Sequence, residues 1–213
     1  MFFYVLKCGY NLLKNLFDFF SALALCIIFA PLIFIISIVI FFDIGKPIFF
    51  TQERTGKNGK AFWIIKFRTM NNNFDSNGKL SSDKSRISNS GKYLRKLSID
   101  ELPTLINILK GDMSFVGPRP ILHEYYTNNL YDNHQKQRFN VRTGITGWAQ
   151  VNGRNKLSWE EKFDLDIWYV KNKSFYLDIK IILKTIIKIL DNTDVNSSNN
   201  DTMKKFKGSN NEK

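Results

Sequence analysis

The sequence predicts an α+β fold in which one membrane-associated helix precedes a compact domain. Three observations support this class: a long uncharged segment near the N-terminus, aromatic and β-branched runs bounded by glycines after it, and later apolar stretches with helical spacing. A chain of 213 residues is long enough for one domain beside a membrane element. We therefore expect a membrane-associated helix over residues 1–42, a globular domain over 43–190 and a polar, disordered tail over 191–213.

The N-terminal segment is long enough to enter a membrane. Residues 19–42 carry no charge, and they exceed the ~20 residues that a straight helix needs to cross a bilayer. Pro31 removes a backbone hydrogen bond near the middle and predicts a kink. Basic residues flank both ends, whereas a spanning helix has its excess on the cytoplasmic side. They are Lys7 and Lys14 before the segment, and Lys46, Arg54, Lys57 and Lys60 after it. These flanks favour a re-entrant helix that enters and leaves by the cytoplasmic face, and a single spanning helix is the alternative.

The next part of the chain alternates strand, loop and helix signals. Residues 47–70 are aromatic, β-branched and bounded by glycines, which predicts a β-hairpin. The polar stretch 71–90 predicts a mobile loop of the kind that often forms a lid. Residues 100–110 have apolar side chains at helical spacing, with Pro103 in the first turn and Gly111 as a C-terminal stop.

The C-terminal half predicts three further helices. One covers residues 120–138, and a second covers 159–170, after a glycine-punctuated loop at 143–154. The third, over 178–190, repeats lysine at positions 180, 184 and 188 against isoleucine and leucine. This pattern is typical of a helix that lies in the bilayer interface, and a core helix with a solvated edge has the same pattern.

The charge of the chain indicates anionic partners. The formal net charge is +12 at pH 7, which favours phospholipid headgroups, phosphates or nucleic acid. Nucleic acid is the weakest of the three, because no basic helix or aromatic RNA-binding pattern is present. Anionic membrane lipid fits better beside a membrane segment. The two cysteines, Cys8 and Cys26, have no metal-ligand spacing and predict no disulfide framework, which suits a reducing compartment.

The most informative stretch for chemistry runs from residue 96 to residue 120. It places the adjacent carboxylates Asp100 and Glu101 at the start of a helix, where the helix dipole favours the ionised form. An ionised aspartate can attack phosphorus and form an acyl phosphate, although acids in a first helical turn are often only capping residues. Arg119 lies between two prolines that fix its backbone, so it can bind phosphate oxygens with little further loss of entropy. A structural turn with a solvated arginine is the alternative.

Two further groups of residues are candidates for substrate binding. Lys66 and Arg68 alternate with an aromatic residue on a predicted strand, so both cations face one side, as a phosphate-binding surface or a solvated edge. Gln150 and Arg154 lie in the glycine-punctuated loop, where they could contact a base or sugar hydroxyls. No set of metal ligands is visible in the sequence. Mg²⁺ stays possible, because it needs only one or two carboxylates when substrate phosphates complete its shell.

Five motifs in this order resemble the bacterial sugar transferases, in particular the small monotopic phosphoglycosyl transferases that start glycan assembly on undecaprenyl phosphate. The motifs are Lys66-Phe-Arg-Thr-Met70, Leu97-Ser-Ile-Asp-Glu-Leu-Pro103, Lys110-Gly-Asp-Met-Ser-Phe-Val-Gly-Pro-Arg-Pro120, Gly144-Ile-Thr-Gly-Trp-Ala-Gln-Val-Asn-Gly-Arg154 and Phe163-Asp-Leu-Asp-Ile-Trp-Tyr-Val170. The resemblance extends from the apolar segment to about residue 190.

The resemblance implies a reaction with a covalent intermediate. Asp100 would attack the β-phosphate of a UDP-sugar, UMP would leave, and undecaprenyl phosphate would take the phosphosugar. Glu101 would assist the second step as a base or through the metal, and Mg²⁺ would lie against Asp100 and the diphosphate. Arg95 and Arg119 would hold phosphate oxygens.

The resemblance also implies a location and an architecture. A compact cytosolic catalytic domain would lie on the cytoplasmic face of the bacterial inner membrane, with a re-entrant helix kinked at Pro31 and interfacial amphipathic helices. This chain departs from the family pattern at Ala30, where serine is common, and at Thr143-Gly144, where Pro-Gly is usual. Neither departure removes a reactive group. The alternatives left open are a catalytically silent membrane-anchored scaffold, and direct attack by the lipid phosphate without a covalent intermediate.

Overall fold

The computed structural model describes residues 2–76, 78–153, 156–191 and 205–209, with the backbone alone for residues 2–8 and Lys84. It confirms a mixed fold of helices and small sheets. The helices are α1 (Phe2–Asp43), α2 (Asp83–Arg86), α3 (Asn89–Lys96), α4 (Leu105–Leu109), α5 (His123–Thr127), α6 (Trp148–Val151), α7 (Trp159–Asn172) and α8 (Phe175–Asp191). The strands are β1 (Phe49–Thr55), β2 (Ala61–Phe67), β3 (Met113–Val116) and β4 (Thr143–Thr146). Short 3-10 helices cover Lys57–Gly59, Ile99–Thr104 and Gln135–Asn140.

Helix α1 is held by the rest of the chain near both of its ends. It has 42 residues and a length of about 63 Å at 1.5 Å per residue. In its first half Asp18 is buried, and its carboxylate accepts a hydrogen bond from the Phe115 backbone N–H at 3.3 Å. In its second half Ile36 and Ile40 pack in one cluster with Phe67. Most of the remaining side chains between residues 9 and 43 are apolar and outside the protein core.

Helical secondary structure continues through Pro31 without an interruption. The predicted kink at this residue therefore stays a prediction, as does the re-entrant path. By length and hydropathy, Gly9–Asp43 is the one described helix that could cross a membrane.

The predicted hairpin over 47–70 is confirmed as antiparallel β1 and β2, which pair from Phe49 opposite Phe67 to Thr55 opposite Ala61. Side chains of the following segment satisfy the free edge of β2. Thr104 donates its hydroxyl to the Ile65 carbonyl at 2.8 Å, and the Asn107 amide accepts from Ile65 N–H at 3.0 Å and donates to the Trp63 carbonyl at 2.8 Å. Because both residues are buried, this docking fixes the end of the 3-10 helix Ile99–Thr104 and the start of α4 against β2.

Strands β3 and β4 form a small parallel sheet that was not predicted. The sequence analysis assigned residues 143–154 to a loop, whereas the structure contains β4 and then α6. The two strands meet at Gly117 and Gly144, where Gly117 N–H donates to the Thr146 carbonyl and Gly144 N–H donates to the Pro118 carbonyl, both at 2.9 Å. An ideal Cβ on Gly117 would lie 2.3 Å from the Arg142 carbonyl oxygen, so only glycine permits this approach.

The prediction of one helix over 120–138 was wrong. The structure has α5, a reversal of the chain, and then the 3-10 helix Gln135–Asn140. Asn129 interrupts the helical pattern with a φ of 52°, and the Leu130 N–H turns back to the Tyr125 carbonyl at 3.1 Å. Asparagine is among the few residues that adopt this left-handed conformation readily, which apolar spacing alone does not reveal.

The remaining helical predictions were closer to the structure. The helix predicted over 100–110 is divided into the 3-10 helix Ile99–Thr104 and α4, and Gly111 ends it with a φ of 80°. Helices α7 and α8 confirm the predictions at 159–170 and 178–190. The predicted loop 71–90 contains the short α2 and the isolated bridge between Phe74 and Leu80, and its mobility stays a prediction.

The last described segment packs against the domain. Most of the predicted disordered tail lies outside the described residues, but residues 205–209 are described, and Phe206 is 5% exposed. Phe206 belongs to an aromatic cluster with Tyr125, Tyr131 and Phe163. A buried aromatic contact in this polar tail was not predicted.

Gly117→Ala tests the approach of β3 to β4. Because the added Cβ overlaps backbone, we expect a cost of about 1–3 kcal/mol and a melting temperature lower by roughly 3–10 °C. Gly9→Ala is the control, because a Cβ there meets no atom within 4 Å. Thermal unfolding of the purified proteins measures both, and equal melting temperatures for the two variants would contradict this account of the sheet.

Candidate active site

The candidate site is centred on the carboxylate of Glu101. Its Oε1 accepts a hydrogen bond from Lys66 Nζ at 2.5 Å and from the Arg119 guanidinium at 3.1 Å. The side chains of Glu101 and Lys66 are 17% and 19% exposed, whereas that of Arg119 is 48% exposed. Three separate parts of the chain thus meet at one oxygen atom: β2, the 3-10 helix Ile99–Thr104 and the loop after β3.

The two adjacent carboxylates have opposite electrostatic surroundings. For Glu101, burial alone would raise the pKa, but the charges of Arg119 and Lys66 outweigh it and lower the pKa to about 2. For Asp100, burial and the negative charge of Glu101 raise the pKa, and Lys66, Arg95 and Arg119 only partly oppose this shift. The expected effect of a helix dipole on Asp100 stays a prediction. Burial acts against it, since burial is the largest cause of the raised pKa.

A second arginine, which the sequence analysis did not assign to the site, lies beside Arg119. Arg54 is on β1, and its guanidinium donates to the Gln52 side chain at 2.5 Å and to the Pro120 carbonyl at 3.5 Å. Burial, and then the charge of Arg119, lower the pKa of Arg54 to about 10. Among the described residues, both arginines line a cleft with an empty volume of about 320 Å³, including space open to solvent. The other residues that line it are Ile64, Lys66, Glu101, Thr104, Met113, Pro120, Gly144 and Ile145.

The sequence could have indicated Arg54 as a site residue only through the pairing register of the hairpin. It is on the hairpin strand opposite Phe62, and Lys66 follows on that partner strand. The sequence analysis treated Arg54 only as a positive flank of the membrane segment. The isolated bridge between Arg54 and Leu122 brings it to the Pro-Arg-Pro loop, and this long-range contact has no local signal.

The backbone that carries Arg119 is supported from behind by a buried ion pair. Arg138 is 1% exposed, and its Nη2 donates to the Arg119 carbonyl at 2.8 Å and to the Asp166 carboxylate at 2.7 Å. Its Nε donates to the same carboxylate oxygen at 3.1 Å. Since a charged hydrogen bond in a buried position is strongly directional, this pair holds the Arg119 peptide in place.

The other predicted site residues are placed differently. Arg95 donates to the Thr69 hydroxyl at 2.8 Å, close enough to Asp100 to oppose the rise in its pKa. Arg68 donates to the carbonyls of Lys46 and Met70 at 2.9 and 3.1 Å. It therefore joins the start of the hairpin to its end and is absent from the described contacts of Glu101.

The loop predicted to read a base or sugar is only partly described. The Gln150 amide donates to the Ile145 carbonyl at 2.7 Å, which fixes the turn beside the cleft. Arg154 lies outside the described residues. In the described part of the chain, no three side chains of histidine, cysteine, aspartate or glutamate are grouped as a metal site. Asp100, which precedes Glu101 in the chain, takes part in no salt bridge among the described residues.

The low pKa of Glu101 makes a prediction about stability and pH. Because its folded pKa of about 2 is below the ordinary 4.5, its stabilising effect is complete above about pH 4.5 and is lost as the pH falls toward 2. Glu101→Gln should therefore be less stable than the wild type at neutral pH, by at most about 3 kcal/mol, and the difference should shrink below pH 4.5.

Thermal unfolding across this pH range measures the effect. Glu160→Gln, at an exposed position in the first turn of α7, is the matched control. A difference between wild type and Glu101→Gln that stays constant from neutral pH to about pH 3 would contradict the assignment of Glu101 as an ionised partner of Lys66 and Arg119.

Comparison with known proteins places these features in a family. Residues 9–192 match the model of the bacterial sugar transferases. The chain is 48% identical over 198 residues to the uncharacterized sugar transferase EpsL of Bacillus subtilis, covering 93% of this chain and 97% of that protein. It is 38% identical over 171 residues to the UDP-glucose:undecaprenyl-phosphate glucose-1-phosphate transferase of Xanthomonas campestris, covering 75% of this chain and 35% of the relative.

The name of a third relative gives a different sugar. The chain is 37% identical over 189 residues to the UDP-N-acetylgalactosamine-undecaprenyl-phosphate N-acetylgalactosaminephosphotransferase of Aeromonas hydrophila, with 85% of this chain and 44% of that protein covered. The match to the family model includes α1 from residue 9 onward and every residue described around Glu101. The chain therefore belongs to the bacterial sugar transferase family.

Proposed function

We propose that this protein is a phosphoglycosyl transferase that moves a phosphosugar from a UDP-sugar to undecaprenyl phosphate and releases UMP. The observation that carries the proposal is a half-buried aspartate, Asp100, whose neighbour Glu101 lines a cleft together with Lys66, Arg54 and Arg119. Such a cleft suits a diphosphate, because several fixed cations can share its charge. The names of the relatives from Xanthomonas campestris and Aeromonas hydrophila supply the two substrates.

The proposed reaction has two displacements at the same phosphorus atom. In the first, a carboxylate oxygen of Asp100 forms a bond to the β-phosphorus, the bond from that phosphorus to the bridging oxygen breaks, and UMP leaves with the electron pair. In the second, an oxygen of undecaprenyl phosphate attacks the phosphorus, and the bond to Asp100 breaks. The products are UMP and undecaprenyl diphosphosugar, and Asp100 is regenerated as a carboxylate.

Burial gives Asp100 the character that this reaction needs. The pKa of Asp100 is raised because its charged form is poorly solvated, so its ionised oxygen is a stronger nucleophile than a fully hydrated carboxylate. The surrounding cations Lys66, Arg95 and Arg119 favour the ionised form and partly oppose this rise in the pKa. Glu101 does not suit the role of a base or nucleophile, because a pKa of about 2 makes it a weak base at neutral pH.

We therefore assign Glu101 as the group that holds Lys66 and Arg119 before substrate binds, in place of the general base suggested by the family resemblance. When a diphosphate enters, its oxygens offer these two cations a second anionic partner. The half-exposed Arg119 can reach the cleft without losing its fixed backbone, because its carbonyl stays bonded to Arg138. This arrangement stabilises charge on the transferred group at little cost in reorganisation.

The residues present are compatible with Mg²⁺. This ion usually takes one or two carboxylates and completes its shell with water and substrate phosphates, and Asp100 offers one carboxylate next to the place where a diphosphate would bind. When bound, it would offset negative charge on the leaving phosphate. Asp100 is its proposed ligand, since Glu101 is already shared by two cations.

A monotopic arrangement on the cytoplasmic face of the inner membrane fits the contacts of α1. Its first half is bonded to the domain through Asp18, and its last residue, Asp43, accepts a hydrogen bond from the Ser90 backbone N–H at 3.2 Å. Both contacts come from one domain, which supports placing these two parts of α1 on the same side of the bilayer. Helix α8 begins beside α1, where Phe17 and Phe175 pack edge to face at 5.4 Å.

The apolar face of α8 supports its proposed position in the bilayer interface. It exposes large apolar residues along most of its length, and three lysines accompany them. The exposed residues are Phe175, Tyr176, Leu183, Ile186, Ile187, Ile189 and Leu190. Anionic lipid is the proposed partner of the lysines.

Replacement of Asp100 tests the proposed reaction. UMP release from a panel of UDP-sugars, measured with Mg²⁺ and undecaprenyl phosphate, should identify at least one donor. Asp100→Asn should lower the rate by at least ~10³-fold, because the amide cannot form the phosphorus–oxygen bond. EDTA should also abolish release.

Asp164→Asn is the matched control, since this aspartate lies on α7 with its side chain 71% exposed. It should retain the wild-type rate. UMP release by Asp100→Asn at a rate near that of the wild type would contradict the proposal, and loss of release in both variants would indicate a general effect on the protein.

Cysteine labelling tests the proposed topology. With Cys8 and Cys26 replaced by serine, single cysteines at position 3 and position 60 should both resist a membrane-impermeant reagent applied to intact cells. Both should react once the cells are opened, because the monotopic arrangement places the two positions on the cytoplasmic side. Labelling of one position but not the other in intact cells would show that α1 spans the membrane.

A further inference from the structure

The segment 205–209 lies beyond the part of the chain that matches the family model, which ends at residue 192. Its central residue is nevertheless buried: Phe206 is 5% exposed, while Lys205 and Lys207 on either side of it are exposed. This alternation of one buried aromatic side chain between two exposed cations indicates a specific docking contact. The site described above does not use it.

Aromatic rings surround Phe206 on several sides. Its ring centroid lies 5.2 Å from that of Phe163, 5.4 Å from Tyr131, 5.5 Å from Trp159 and 5.9 Å from Tyr125. These distances are typical of favourable aromatic pairs. The four partners come from α5, α7 and the turn between α5 and the 3-10 helix Gln135–Asn140, so the tail joins elements that are separate in sequence.

Polar contacts fix the segment beyond its aromatic anchor. The Ser209 N–H donates to the Leu130 carbonyl at 3.3 Å, and the Gln135 amide donates to the Ser209 hydroxyl at 2.6 Å. Gly208 has a φ of 95°, which lets the chain turn against Leu130. The segment thus has a defined path as well as a buried side chain.

The aromatic cluster continues directly to the Pro-Arg-Pro loop. The guanidinium of Arg138 lies 5.4 Å from the Phe163 ring centroid and 5.1 Å from that of Phe139. The same guanidinium donates to the Arg119 carbonyl at 2.8 Å. The Phe163 ring therefore contacts both Phe206 and Arg138, the arginine that holds Arg119.

We propose that Phe206 is a positioning residue, which closes the aromatic cluster around Arg138 and thereby holds Arg119 in place for a diphosphate. The inference rests on the proposed function in one respect, that the substrate contains a diphosphate. Removal of Phe206 opens the cluster to water on the side of Phe163. Arg138 then loses part of the fixed surface against which it packs, and the Arg119 peptide gains freedom.

Binding of inorganic pyrophosphate to the purified full chain tests this inference without requiring turnover. Phe206→Ala should weaken pyrophosphate binding about tenfold, because Arg119 keeps its charge but loses part of its fixed position. Phe206→Leu keeps an apolar side chain in the pocket and should stay within about twofold of the wild type. Lys205→Ala, at the exposed neighbouring position, should leave the affinity unchanged. The same order of effects is expected in the KM for the UDP-sugar.

Tryptic cleavage shows whether the tail is docked. Cleavage after Lys205 and Lys207 requires release of the segment, so Phe206→Ala should be cut several times faster than the wild type. The binding measurement also separates positioning from simple loss of folded protein. Positioning changes the dissociation constant, whereas partial unfolding lowers the number of binding sites at an unchanged constant.

Three results would overturn the inference: equal tryptic cleavage of wild type and Phe206→Ala, a wild type that does not bind pyrophosphate, or a loss of binding sites without a change in affinity. Weakened pyrophosphate binding in Phe206→Ala with no turnover of any UDP-sugar by the wild type would support the inference and contradict the proposed function.

Discussion

The arrangement of the site depends on the sharing of one carboxylate by two cations. Glu101 accepts hydrogen bonds from Lys66 and Arg119 through a single oxygen atom, in surroundings where all three charges are at least half removed from water. Without Glu101, two cations would face each other beside Arg54. Their repulsion would favour opening of the cleft. The carboxylate thus allows a concentration of positive charge that would suit the diphosphate of the proposed substrate.

The same contact gives the two adjacent acids different electrostatic surroundings. The charges of Arg119 and Lys66 lower the pKa of Glu101, whereas burial raises that of Asp100. A sequence shows only that the two residues are neighbours, so it cannot separate these surroundings. The difference arises from Lys66 and Arg119, which reach Glu101 from positions distant in sequence.

The sequence predicted local structure better than it predicted long-range contacts. The hairpin and helices α7 and α8 followed from periodicity and glycine positions, and the motifs located Asp100, Glu101, Lys66 and Arg119. The parallel pairing of β3 with β4 was missed, because each strand has four residues and their meeting depends on Gly117 and Gly144. The predicted helix over 120–138 failed at Asn129, whose backbone is left-handed.

The contacts that support Arg119 also could not be predicted from local sequence patterns. The ion pair between Arg138 and Asp166 joins residues 28 positions apart, and Arg54 reaches the cleft through a bridge to Leu122. Local sequence patterns do not distinguish either arginine from other charged residues of the chain. Their function follows from burial, which makes an unpaired charge costly and so fixes each guanidinium on its acceptors.

The most direct test of the account is the mass of the protein after exposure to its sugar donor in the absence of undecaprenyl phosphate. The account predicts an increase equal to one phosphosugar, located on the peptide that contains Asp100 and lost when undecaprenyl phosphate is added. UMP release that occurs only with the lipid acceptor, with no adduct on Asp100 at any time, would contradict the covalent mechanism and favour direct transfer between the two substrates.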